Sequence, residues 1–233
     1  MKEAVIVLVS AHFIADFLLQ SDGLQQRKDR FLILLLHAAW VAVSGYLLLQ
    51  QWSAWIPFLL IFVFHAAIDG IKRRFQDTVR VFCLDQAAHI ISVFFVVWFC
   101  RTAGWMHGFS GKGLTLIVLV AGFAVCVPGA GFLVGKVAGK LQAENALAEK
   151  IIGLINGGKL IGQLERALIF MLVMIGQPGG IGFLVAAKSI LRFGEAKDDQ
   201  KLAEYVLIGT LLSFGLAIAA STLTKYILED VSS

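Results

Sequence analysis

The chain has 233 residues, of which 58% are hydrophobic and only 15% charged, with a mean hydropathy of +0.82; this excludes an ordinary soluble domain and predicts an integral membrane protein. The net charge of +4 lies mostly between the apolar runs, where bilayer orientation explains it, and no basic-aromatic pattern points to nucleic acid. Cys83, Cys100 and Cys126 show no CxxC spacing, which excludes a disulfide framework or a thiolate metal site and leaves packing roles.

A hydrocarbon core of ~30 Å is crossed by about 20 apolar residues. Segments 3–20, 31–50, 53–70, 84–101, 114–135, 160–176, 179–192 and 203–224 are read as spans on this basis. The first is interrupted by His12 and Asp16 and is followed by no small-residue cleavage site, so it reads as a retained span rather than a signal peptide. The seventh is short and is expected to be tilted or partly re-entrant. Between the fifth and sixth, a stretch rich in Ala, Leu, Glu and Lys predicts a surface helix ending at Gly157 and Gly158. Within that stretch "GLINGGKL" matches most of a phosphate loop, but Leu160 replaces the metal-binding hydroxyl and no strand precedes it, so it too reads as a helix end. Gly131, Gly135 and Gly139 are spaced for close helix packing, and Trp40, Trp52, Trp55, Trp98 and Trp105 fit an interfacial belt.

The expected fold is thus an all-α polytopic bundle of about eight transmembrane helices. It forms a single domain, 1–233, with a four-helix part over 1–105 and a second helical part over 106–233. Arg27, Lys28 and Arg30 follow the first span; Lys72, Arg73, Arg74 and Arg80 the third; Lys136, Lys140, Lys150 and Lys159 the fifth. Lys188, Arg192, Lys197 and Lys201 surround the end of the seventh, and the remaining loops hold little beyond Arg101 and Lys112. The positive-inside rule then runs the odd-numbered spans towards the cytoplasm of a bacterial inner membrane, with both termini outside.

Ionisable groups at the centre of a span cost about 2.5 to 3.5 kcal/mol each, so their arrangement is informative. His12-x-x-x-Asp16 in the first span recurs as His65-x-x-x-Asp69 in the third and is reversed as Asp85-x-x-x-His89 in the fourth. A spacing of four puts both members of each pair on one helix face. The fourth span runs opposite to the first and third, so the reversal keeps every Asp nearer the cytoplasmic edge and every His one turn deeper. At a rise of 1.5 Å per residue the Asp residues lie roughly 0 to 6 Å inside that edge and the His residues roughly 8 to 12 Å, with His37 of the second span at about 9 Å.

Four imidazoles in one layer beneath three carboxylates predict a divalent-metal site. Zn, Mn or Fe fit this donor set best, as one or two ions. Seven candidate ligands exceed one four-coordinate ion, so either two metals lie together or some Asp residues orient the His rings. Scaffold hydrogen bonding between helices is the plainer alternative for any single His. At similar depth, Glu165 and Arg166 in the sixth span and Lys188 and Arg192 in the seventh form a second group. A Glu165 pair with Lys188 or Arg166 would offset burial without chemistry, and surplus cations would suit an anionic head group.

"AHFIADFLLQ", Lys28, His37, "HAAIDGIK", "FCLDQAAH", "GQLERALI" and "AAKSILRF" together resemble the bacterial membrane family known as domain of unknown function 3307. The resemblance covers nearly the whole chain and implies a membrane fold but no activity. The paired His-x-x-x-Asp arrangement is also similar, more loosely, to bacterial inner-membrane proteins labelled metal-dependent hydrolases, which implies hydrolysis by analogy.

The resulting expectation is a membrane metal-dependent hydrolase open to the cytoplasmic leaflet, among membrane lipids. His12, His37, His65 and His89 hold the metal, and one of Asp16, Asp69 or Asp85 accepts a proton or completes the coordination. Glu165, Arg166, Lys188 and Arg192 take the anionic part of a lipid or other anionic substrate. A divalent-cation or proton transporter is the alternative, although the outer halves of spans one to four hold few polar groups beyond Ser10, Ser44, Gln50 and Ser92. A non-catalytic scaffold is the third reading.

Overall fold

We describe a computed structural model over residues 1–19, 31–107, 109, 112–145, 156–193 and 200–232, with the backbone alone at 191–193. Among these residues every regular element is helical. They are α1 (Lys2–Ile14, continued by a π-turn at Ala15–Leu19), α2 (Phe31–Leu49), α3 (Trp55–Lys72) and α4 (Val79–Thr102). There follow α5 (Leu114–Ala124, continued by a π-turn at Val125–Gly129), α6 (Ala130–Glu144), α7 (Gly157–Met174), α8 (Gly179–Phe193) and α9 (Gln200–Ser232). Among the described residues five segments are long and apolar enough to cross a membrane: Phe31–Leu49, Trp55–Lys72, Val79–Thr102, Leu114–Glu144 and Gln200–Ser232. Lys2–Leu19 and Gly157–Met174 are the other two of comparable length, and each carries three charged residues. Gly179–Ile190 is a shorter apolar stretch, as expected of the seventh segment.

The chain divides into two compact units, Met1–Ala124 with Leu228–Ser233, and Val125–Ile227. In the first, α1 packs against α2, α4 and α5, and α3 lies between α2 and α4. This central place explains why α1 has almost no amphipathic character: a helix covered on several sides is apolar all round. Its Ala4, Val7 and Leu8 meet Val41 and Ala42 of α2 and Val93, Val96 and Val97 of α4 in one core. The opposite faces of the outer helices carry Leu36, Trp40, Leu59, Val63, Ile91 and Phe94, all exposed, as lipid-facing positions should be.

Local chemistry sets the helix ends. The Thr78 hydroxyl accepts a hydrogen bond from the Val81 N–H at 3.3 Å and caps α4, while Gly104, at φ +73°, lets the chain leave it. Beyond α2 the side-chain amides of Gln50 and Gln51 each exchange two hydrogen bonds with the backbone, Gln50 with Lys112 and Gln51 with His107, at 3.0 to 3.2 Å. The Gln50 side chain is therefore a clasp between two loops.

Three expectations need correction. Gly157 and Gly158, expected at a helix end, open α7 after Asn156 in the left-handed region at φ +62°; glycine permits either boundary. The stretch expected to be a separate surface helix begins as α6, in direct continuation of the apolar α5, and its residues 146–155 lie outside the described residues. Cys83 is exposed, whereas Cys100 and Cys126 are buried packing residues. Arg27, Lys28, Arg30, Lys150 and Lys197, used above for orientation, also lie outside the described residues.

In the second unit α7 packs against the π-turn and against α6 and α8. Pro128 sits inside that π-turn; proline donates no backbone hydrogen bond, and the wider π geometry accommodates the gap. Gly131 faces the side chain of Arg166, whose Nη2 would lie 2.6 Å from a Cβ added there. Gly135 and Gly139 have nothing within 4 Å of such an atom, so the expected close-packing stripe reduces to Gly131.

Candidate metal centre

Four helices of the first unit each contribute to one cluster: α1 gives His12 and, in its π-turn, Asp16; α2 gives His37; α3 gives His65 and Asp69; α4 gives Asp85 and His89. The i,i+4 spacing brings each Asp to its own His, at 3.8 Å for Asp16 and His12, 3.7 Å for Asp69 and His65, and 3.5 Å for Asp85 and His89. Side-chain direction on a helix accounts for these pairs. The cluster as a whole follows from packing, because α1, α3 and α4 turn the same faces inward.

The imidazoles form a continuous group, with ring centroids 5.0 Å apart for His37 and His65, 4.1 Å for His65 and His89, and 4.8 Å for His89 and His12. All four His, with Asp69 and Asp85, are buried; His89 is 1% exposed and His65 3%. Asp16 lies at the margin, its side chain 10% exposed. Asp16 Oδ1 accepts a hydrogen bond from His37 Nε2 at 3.0 Å. By contrast His65 Nε2, His89 Nε2 and Asp85 Oδ1 are buried with no hydrogen-bond partner among the described residues. Polar atoms in that state are destabilising by about 1 to 3 kcal/mol each unless something else satisfies them.

Among the described residues three groups have ligand atoms all within 4.8 Å of one another: His12, His65 and His89; Asp16, His37 and His65; Asp69, Asp85 and His89. Zn–N and Zn–O bonds of about 2.0 to 2.2 Å place neighbouring ligand atoms on one ion roughly 3 to 3.6 Å apart. The N···O separations in the cluster run from 3.0 to 3.8 Å. The cluster could therefore hold a metal ion with little rearrangement. Imidazole and carboxylate together suit Zn, Mn or Fe, consistent with the donor chemistry.

Two residues outside the expected set belong to the site. Gln86 joins three members: its Oε1 lies 3.3 Å from His12 Nε2, and its Nε2 donates to Asp16 Oδ2 at 3.4 Å and to Asp85 Oδ2 at 3.3 Å. Lys72 donates from Nζ to Asp85 Oδ2 at 2.6 Å, and its side chain is 30% exposed. Lys72 was visible in the sequence only as one of the cations beyond the third span. Gln86 gave no signal beyond standing next to Asp85.

On the far side of the His layer from the carboxylates, a cavity of about 10 Å³ is lined by His12, His65 and His89 together with Leu8, Val41 and Ile61. That volume is close to the least that holds one water molecule. One turn beyond the imidazoles the lining is mostly apolar, with Ser92 as its polar member.

The second expected group lies in the other unit. Lys188 Nζ donates to Glu165 Oε2 at 2.7 Å, which is the charge pair the burial argument requires. Arg166 is 3% exposed, and it donates from Nε to the Val127 carbonyl in the π-turn at 2.9 Å and from Nη1 to Ser213 Oγ at 3.0 Å. Beside it, Cys126 Sγ lies 3.5 Å from Ser221 Oγ. Arg192 is in α8, and its side chain lies outside the described residues.

These features define an all-helical protein with membrane-spanning helices and a buried His/Asp cluster that could hold metal. Residues 4–112 match the model of the family described as protein of unknown function (DUF3307). That range contains the whole His/Asp cluster, Gln86 and Lys72, and stops short of Glu165, Arg166 and Lys188, so the match is narrower than the likeness read from the sequence. No curated protein and no solved structure matches the chain.

Proposed function

We propose that the cluster is a metal centre and that the protein is a membrane-embedded metal-dependent hydrolase. The observation that carries this reading is the convergence of buried His65 Nε2, His89 Nε2 and Asp85 Oδ1, none of them hydrogen-bonded among the described residues, within 3.5 to 3.7 Å of opposing His and Asp ligand atoms. Lone pairs so placed are destabilising in an apolar bundle, and bound metal would satisfy them.

His12, His37, His65 and His89 with Asp16, Asp69 and Asp85 would hold the metal, which when bound would supply an activated water and polarise a carbonyl or phosphoryl oxygen. The three carboxylates would complete the coordination, while Lys72 and Gln86 hold Asp85 and Asp16 in place. With the loop cations on the cytoplasmic side of a bacterial inner membrane, the carboxylate layer lies near the cytoplasmic leaflet. A lipid or other anionic substrate would enter there. The mostly apolar residues one turn beyond the His layer, Leu8, Val41, Ile61 and Val93 beside Ser92, favour a reaction site over a continuous ion path.

The test is hydrolysis of phosphate- and ester-linked lipids in mixed micelles by the detergent-purified full chain. Product release that stops on chelation and returns with added metal supports the reading. A preparation free of transition metal by elemental analysis, or metal content unchanged in the His37→Ala, His65→Ala double variant, contradicts it.

A further inference from the structure

Seven ligand side chains are too many for one ion, and their geometry shows how they divide. The groups Asp16, His37, His65 and Asp69, Asp85, His89 share no residue. Between them, the carboxylates of Asp16 and Asp69 each face both ways. Asp16 Oδ1 is 3.0 Å from His37 Nε2 and 3.8 Å from His65 Nε2, while its Oδ2 is 3.8 Å from His12 Nε2. Asp69 Oδ2 is 3.8 Å from His37 Nε2 and 3.7 Å from His65 Nε2, while its Oδ1 is 3.5 Å from His89 Nε2. One oxygen of each carboxylate thus belongs with His37 and His65, and the other with His12 or His89.

Resting on the metal-centre reading, we infer that the cluster is a dinuclear centre in which the Asp69 carboxylate is shared between two divalent ions. The first ion would take His37, His65, Asp16 Oδ1 and Asp69 Oδ2. The second would take His89, Asp85 Oδ1 and Asp69 Oδ1, with His12, 3.8 Å from Asp16 Oδ2, beside it. His65 and His89, whose centroids are 4.1 Å apart, then serve different ions. That separation suits a metal pair held about 3.5 to 4 Å apart by a shared carboxylate.

The two positions are not equivalent. Lys72 occupies Asp85 Oδ2 at 2.6 Å and so leaves only Oδ1 facing His89. Asp85 is therefore a terminal, one-oxygen ligand, and the second ion sits nearer a fixed positive charge than the first. Two divalent ions outweigh three carboxylates, and Lys72 adds further positive charge. A filled centre is cationic, which suits hydroxide and the anionic group of a phosphate or carboxylate ester.

The experiment uses the full chain in detergent, stripped with a chelator and titrated with Mn(II), read by bound equivalents and by electron paramagnetic resonance. Two equivalents per chain with an exchange-coupled spectrum are expected. His37→Ala and Asp85→Asn should each leave one equivalent and an uncoupled signal. One uncoupled equivalent in the unaltered chain, or two without coupling, overturns the bridged pair while leaving metal binding intact. No bound Mn(II), Zn(II) or Fe(II) overturns the metal-centre reading itself. Because the unaltered chain alone separates these outcomes, a variant that fails to fold does not blunt the test.

Discussion

Replacing Gln86 with leucine keeps the side chain's approximate volume but removes its amide from the centre of the carboxylate layer. Three contacts disappear, to His12 at 3.3 Å, Asp16 at 3.4 Å and Asp85 at 3.3 Å. All are at the long end of the hydrogen-bond range, so each contributes about 0.5 to 1.5 kcal/mol. Asp16 keeps the His37 contact at 3.0 Å, and Asp85 keeps Lys72 at 2.6 Å, so neither carboxylate is left alone. The expected result is a loss of metal affinity of about 10- to 100-fold, or roughly 1.4 to 2.7 kcal/mol, with the number of bound ions unchanged. Competition against a chromophoric chelator measures this directly in the detergent-solubilised chain. Unchanged affinity would show that Gln86 orients nothing. Complete loss of metal from a chain that still unfolds cooperatively would show that it does more than orient.

Gly131→Ala should destabilise the protein by about 2 to 4 kcal/mol, because the new methyl group drives Arg166 off Val127 and Ser213. Gly135→Ala meets nothing within 4 Å and should be neutral or stabilising by up to about 1 kcal/mol; thermal unfolding in detergent compares the two. Lys188→Met, which strands Glu165, should lower stability by about 2 to 3 kcal/mol, and adding Glu165→Gln should recover most of it in the same assay. Free metal at a hundredfold its dissociation constant should stabilise the folded chain by about 2.7 kcal/mol over the chelated form, read as a rise in Tm. This rise should be absent in His65→Ala combined with His89→Ala.

Much of the site's layout can be read from spacing, since i,i+4 pairs fix a shared face and the reversed order in α4 matches a reversed helix. His37 entered the same layer by its position along α2, without a motif of its own. Gln86 could not be found this way, because an uncharged amide in a span has many ordinary roles and its three partners come from two helices. Lys72 looked like an orientation charge because one flexible side chain spans the gap between the end of α3 and the start of α4. The interior of the second unit was less legible still. The seat of Arg166 depends on the Val127 carbonyl in the π-turn at Val125–Gly129, on the Ser213 hydroxyl and on the missing Cβ atoms of Gly131 and Gly162. Neither the position of a π-turn nor the choice among three equally spaced glycines is encoded in hydrophobic periodicity. Gly157 and Gly158 misled for a related reason, since glycine is compatible with both ends of a helix.

The central claim, that the His/Asp layer is a metal centre, is tested most directly by X-ray absorption at the edge of the metal that co-purifies with the chain. The expected spectrum has a first shell of nitrogen and oxygen at about 2.0 to 2.2 Å, outer-shell features of several imidazoles, and no sulfur. A sulfur shell near 2.3 Å, a metal without imidazole scattering, or no co-purifying metal would contradict the account.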